Sequence, residues 1–186
     1  QLGASAPLVG PLYVRLDSPA AALCVRTISQ DGRYSAANPF AVPAASAPAV
    51  VRIPAISQHY VSELGQYAPG AVAVRIFAAA DADCNPANAT NLPYSGSPEP
   101  AATLVALVNG RSFSGRLELK ADDGAVLAAA ECAQAGDSAR IAYDMSCSAT
   151  LPAGPARNGT LSLVFNDGFA DEVYDYQIAL PAMAAQ

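Results

Sequence analysis

His59 is the only histidine in the chain, and it is the natural place to look for acid–base or nucleophilic chemistry. A serine triad would need it beside a carboxylate and a serine on a strained elbow, yet no Gly-x-Ser-x-Gly is present. Its near serines, Ser57 and Ser62, lie along the same expected strand. A zinc site with three protein ligands would have to draw on cysteines, which the chain uses differently. Asp81-Ala82-Asp83-Cys84-Asn85 opens like a calcium loop, but Pro86 stands sixth where an EF-hand needs glycine, and Leu92 twelfth where it needs glutamate.

A second acidic group, Asn166, Asp167, Asp171, Glu172 and Asp175, spans a turn and the start of a strand. Carboxylates there serve as turn formers and edge charges. Calcium through Asp167, Asp171, Glu172 and Asp175 is the one cofactor alternative to an expectation of none. A glycosidase needs two opposed carboxylates about 5 to 10 Å apart, and no pattern marks such a pair among the sixteen Asp and Glu. The chain has no tryptophan and its eight tyrosines are scattered. Tyr174 and Tyr176, two apart beside the acidic turn, are the candidates for an exposed aromatic ligand platform, against the plainer reading that they belong to the core. No nucleophile–base pair emerges, so the expectation is a protein that is not an enzyme.

Cys24, Cys84, Cys132 and Cys147 form an even set without Cys-x-x-Cys, which favours disulfides over zinc or redox chemistry. Three connectivities exist. The segment 116–147 favours pairing Cys132 with Cys147: strands before and after the Gln134–Asp137 turn put both sulfurs on their apolar sides. Cys24 then takes Cys84. Such loops stabilise by roughly 3 to 4 kcal/mol each in the chain-entropy model. An oxidising location follows: secreted, extracellular, cell-surface or periplasmic. Heavy use of Ala, Pro and Gly suggests a bacterial, GC-rich source.

The elements that must carry these residues are strands. Leu117 and Leu119 alternate with charged neighbours, Asp122-Asp123-Gly124 gives a hairpin turn, and Val126, Ala128, Ala130 and Cys132 share the next face. Ile141, Tyr143, Met145 and Cys147 share another. Further strands are read at 12–17, 21–29, 50–53, 59–64, 71–78, 103–108, 112–120, 160–166 and 172–180, with turn signals every 8 to 12 residues or so. Residues 36–49, with Pro39, Pro43 and Pro48, suit an edge or surface loop rather than a central strand. Four arginines follow valine (Val14-Arg15, Val25-Arg26, Val51-Arg52, Val74-Arg75), the pattern of a strand with valine inward and arginine outward; the rival reading is an arginine ladder for an acidic partner.

The fold expected is an all-β, disulfide-stapled antiparallel β-sandwich architecture of two immunoglobulin-like lobes, with one jelly-roll-like sandwich as the alternative. The divisions are an extended arm at 1–11, a first lobe at 12–92, a linker at 93–100, a second lobe at 101–181 and a tail at 182–186. The net charge of −6, with only ten Lys and Arg, argues against nucleic acid. No apolar run reaches the roughly 18 residues of a transmembrane helix. Asn88-Ala89-Thr90 and Asn158-Gly159-Thr160 match a glycosylation pattern and read as ordinary loop residues.

Function is expected to be structural: a non-enzymatic subunit of a secreted or cell-surface filament or layer, self-associating by protein–protein interaction through its arms or edge strands. Leu2, Leu8 and Val9 are the candidate subunit contacts. The alternative is an extracellular or periplasmic binding module for a glycan or protein ligand.

Overall fold

The computed structural model describes residues 11–18, 20–29, 35–42, 48–54, 58–61, 66–69, 71–96, 98, 101, 103–108, 114–135 and 143–184. Fifteen strands run through them: β1 (Leu12–Leu16), β2 (Ala22–Ser29), β3 (Ser35–Phe40), β4 (Ala49–Ile53), β5 (Gln58–Val61), β6 (Gln66–Pro69), β7 (Ala71–Ala79), β8 (Thr90–Asn91), β9 (Tyr94–Ser95), β10 (Thr103–Val108), β11 (Ser114–Ala121), β12 (Val126–Gln134), β13 (Met145–Thr150), β14 (Arg157–Asn166) and β15 (Asp171–Leu180). The only helical segment among the described residues is a 3-10 turn at Pro86–Asn88.

Nine strands form one curled sheet in the order β15-β14-β11-β12-β13-β10-β4-β1-β9. A smaller sheet runs β3-β2-β7-β8, and β5 pairs with β6 alone. The ladders are antiparallel except β4 with β10, which run parallel from Thr103 opposite Ala49 to Ala106 opposite Arg52. A parallel pair cannot be joined by a tight turn; here the connection carries five strands, β5 to β9.

The sequences of β4, Ala-Val-Val-Arg-Ile, and β10, Thr-Leu-Val-Ala-Leu-Val, are nearly continuous apolar runs and are buried along their whole length. That is the composition of strands covered on both faces. One face of β1, β4 and β10 contributes Tyr13, Val50, Leu104 and Ala106 to a core with Leu117, Leu119, Leu161, Leu163, Ile178 and Leu180, inside the curl of the large sheet. The opposite face contributes Leu12, Val14, Leu16, Val51, Ile53, Val105 and Leu107 to a second core shared with Leu23, Val25, Val74 and Ile76 of the smaller sheet.

All four valines of the Val-Arg pairs lie in that second core. The arginines consequently point away from it, but not all to solvent. Arg15 and Arg75 are half-buried, Arg26 likewise, and Arg52 is buried at 2% exposure. The outward-arginine expectation fails for Arg52 because its strand has no solvent face.

The hairpin turns form where glycine allows positive φ, at Gly124 (84°) and Gly168 (97°). Between them the expected face of β12 breaks. A bulge in the pairing between Leu119 and Lys120 sets Val126 opposite Lys120, so Val126 turns outward and is 57% exposed, while Ala128, Ala130 and Cys132 stay on the core side. One extra residue inverts the alternation. Tyr143 likewise leaves the face of Met145 and Cys147. It enters the second core, meeting Phe40 edge-on at 5.5 Å, and its hydroxyl donates to the Ala41 carbonyl. Ile141 and the Asn109-Gly110 turn lie outside the described residues.

The 36–49 expectation resolves into β3, an edge strand of the small sheet that carries Pro39 opposite Cys24. Cys24 bonds to Cys84, and Cys132 bonds to Cys147, its in-register neighbour between β12 and β13. No helix among the described residues is long and apolar enough to cross a membrane.

Candidate functional site

Three places gather the chain's polar chemistry. The first lies inside the curl. Arg52 on β4 extends across the concave core until its guanidinium sits 4.2 Å above the ring of Tyr176 on β15, six strand positions away along the sheet. Tyr13, paired with Arg52 across β1 and β4, brings its hydroxyl beside the same guanidinium. Neither the Tyr13 hydroxyl nor the Arg52 Nε finds a hydrogen-bond partner, and no carboxylate among the described residues forms an ion pair with Arg52. Burial raises the Tyr13 pKa, with the Arg52 charge partly offsetting it. The aromatic face is thus the main compensation for a buried cation.

The second is the acidic turn and β15. Asn166 Oδ1 accepts from the Gly168 N–H, and Asp167 Oδ1 accepts from the N–H groups of Phe169 and Ala170 at 2.8 and 3.0 Å. Those backbone donors hold the Asp167 carboxyl below its ordinary pKa. Asp171 accepts from Asn166 Nδ2, Glu172 from the Tyr174 hydroxyl, and Asp175 from the Ser162 hydroxyl. Each carboxylate therefore has separate local work. No three of His, Cys, Asp and Glu among the described residues converge in a way that would hold a metal ion. At the other calcium-like stretch, Asp81 accepts from the Asp83 N–H and Asn85 from the Ala87 N–H, so these too shape turns.

Tyr174 and Tyr176 do share a face, with Ile178 and Leu180 continuing it. Exposure falls along it: Tyr174 is 48% exposed, Tyr176 half-buried, and the last two are buried. Tyr174 leans on Phe165 with ring centroids 6.2 Å apart. Beyond them β15 is the last strand of the sheet, and no described residue pairs with its far side.

The third is a cavity of about 590 Å³ at the opposite flank, where the end of β1 faces the end of β7. Arg15, Asp17, Asn88, Thr90 and Tyr94 supply its polar groups, and alanines of the 78–80 stretch form one wall. Arg15 is held by Asp17 at 2.7 Å, and Tyr94 donates its hydroxyl to the Val74 carbonyl. Sequence reading missed this cavity, because its residues come from segments far apart and none carries a motif.

The remaining candidates fare variously. His59 lies on β5 opposite Ala68; Ser57 and Ser62, like Leu2, Leu8 and Val9, fall outside the described residues. Asn88 is exposed in the 3-10 turn, and Asn158 is exposed on β14 rather than in a loop. Comparison with family models, curated proteins and solved structures finds no match to this chain.

Proposed function

We propose that this protein is a non-enzymatic structural subunit of a secreted or cell-surface assembly, filament- or layer-like, joined through edge strands and extended arms. The observation that carries the reading is the open end of the large sheet. A ten-residue strand, β15, stands at its margin with no described partner on its far side. Long uncovered edges template pairing with another chain, and proteins that remain single usually blunt or cover them. Two disulfides and the absence of a membrane-spanning helix among the described residues are compatible with an oxidising, extracellular setting, and the composition suits a bacterial source. The carboxylates of the 81–85 stretch and of the acidic turn and β15 serve turns and strand pairing, which supports a scaffold role. Light scattering across a hundredfold range of concentration tests the reading: mass that climbs with concentration is expected, and a constant monomer mass rejects it.

A second reading rests on the cavity beside Arg15 and Tyr94. Its volume lies in the range of small-molecule sites, and its mixture of aromatic, cationic and hydrogen-bonding groups suits a glycan. A saccharide-dependent shift of the Tyr94 and Asn88 resonances would favour a binding module.

A further inference from the structure

We infer that Arg26 and Arg75, side by side on the outer face of the smaller sheet, bind a dianionic tetrahedral oxyanion: sulfate, or phosphate as the free ion or a monoester. The inference stands apart from the assembly reading, since it concerns a different sheet.

The two arginines face each other in register between β2 and β7. Each is flanked along its strand by buried residues, Val25 and Thr27 for one, Val74 and Ile76 for the other. Period two therefore turns both arginines onto the same, opposite face. In-register partners of an antiparallel ladder hold their Cβ atoms about 5 Å apart, and like charges placed there repel. The chain has sixteen Asp and Glu against ten Lys and Arg, yet here it sets arginine against arginine. No carboxylate among the described residues forms an ion pair with either, whereas Arg15, Arg116 and Lys120 all have such partners.

The pair is partly fixed and partly unsatisfied. Arg75 Nε donates to Asn91 Oδ1 at 2.7 Å, and its guanidinium lies 5.4 Å from the centre of the Phe77 ring. Arg26 Nε is buried and has no hydrogen-bond partner. Next to the arginines along both strands lies the apolar cluster of Cys24, Phe77, Ala79 and Cys84, tied by the Cys24–Cys84 disulfide. A flank of low dielectric strengthens the repulsion between the two cations and, equally, their attraction for an anion.

Charge and shape select the ligand class. A carboxylate, with two oxygens and one charge, is satisfied by a single guanidinium fork. Two adjacent forks carry two charges, and a dianionic tetrahedral oxyanion supplies both the charge and the additional oxygens. Two of the four Val-Arg pairs thus meet an acidic ligand, while Arg15 is held by Asp17 and Arg52 is buried inside the curl.

The test uses the full chain at pH ~7.5, where a phosphate monoester is dianionic, with ionic strength held constant by sodium chloride. Arginine Nε–H resonances are followed as sulfate, phosphate or glycerol 2-phosphate replaces chloride. The Arg26 and Arg75 signals are expected to move together and saturate, with that of Arg116, paired to Glu118, as the stationary control. Arg26→Gln and Arg75→Gln should each weaken binding by about tenfold or more, through loss of a charge-assisted hydrogen bond. In chloride alone neither variant should melt below wild type, because a like-charge contact is gone. In sulfate the wild type should gain more than either variant; the general stabilisation by sulfate is common to all three and drops out of the comparison. An ester that binds as well as phosphate marks the ligand as a phosphorylated molecule, and binding of the free ions alone marks the ion itself; either upholds the site. Unsaturable drift shared with Arg116, or shifts that chloride reproduces, overturn the inference. So do variants that lose the same stability in chloride as in sulfate, which would make the two arginines packing residues only.

Discussion

Arg52 occupies a position where a guanidinium is expensive to keep. It is buried, lacks a carboxylate partner among the described residues, and rests on the Tyr176 ring. Removing only its charge should therefore cost little. Arg52→Met keeps the apolar stem and is expected to leave the urea midpoint unchanged or raise it. Arg52→Ala opens a void between Tyr13 and Tyr176 and is expected to lose about 2 to 4 kcal/mol. A Met variant as unstable as the Ala variant would reveal a counter-charge reaching the core. Asp167 is the opposite case, exposed and well satisfied. Its carboxyl is held below the ordinary range by the Ala170 and Phe169 amides. On acidification the unfolded chain therefore takes up this proton first, near pH ~4. The stability it contributes is complete above that pH and is lost as pH falls through the depressed folded value. Asp167→Asn retains an oxygen acceptor without the titration. Its melting temperature is expected to lie below wild type at neutral pH and to converge with it in acid; a gap independent of pH would refute the linkage.

At the level of elements, the two disulfides differ in what they close. Cys24–Cys84 spans 60 residues and ties β2 to the turn after β7, while Cys132–Cys147 spans 15 within adjacent strands. The chain-entropy model gives losses of about 4 and about 3 kcal/mol for the respective double alanine variants. Urea unfolding should rank them in that order, and a reversed order would point to strain or residual unfolded structure. Strand positions were legible from alternation: β10 falls where its apolar run places it, and β7 and β15 each within a residue. The 132–147 pairing was legible too, because period two puts both sulfurs on one side. Val126 was not, since a bulge depends on the partner strand and leaves no trace in its own residues. Arg52 misled for a related reason: valine next to arginine marks two faces of a strand but does not say that both are covered. Of the site residues, Tyr174 and Tyr176 were found as a pair by their spacing, while the Arg52 contact and the Arg15–Tyr94 cavity arise only from tertiary closure.

For the whole molecule, the parallel ladder of β4 and β10 is the feature that no local pattern announces. It places strands from either side of residues 93–100 in one sheet, and β9, within that stretch, pairs with β1. The two cores lie back to back on the shared strands β1, β4 and β10. Order of synthesis follows from this arrangement. β4 leaves the ribosome or the export channel early, with apolar side chains on both faces, and must wait some fifty residues for β10. After β10, the hairpins β11–β12 and β14–β15 join strands adjacent in sequence and can zip as they appear, while β11–β14 and β10–β13 close later. Non-local pairing of this kind slows folding and prolongs exposure of sticky strands. The nascent first half is thus the part expected to stay longest open to misassociation, until Thr103–Val108 arrives to pair with β4.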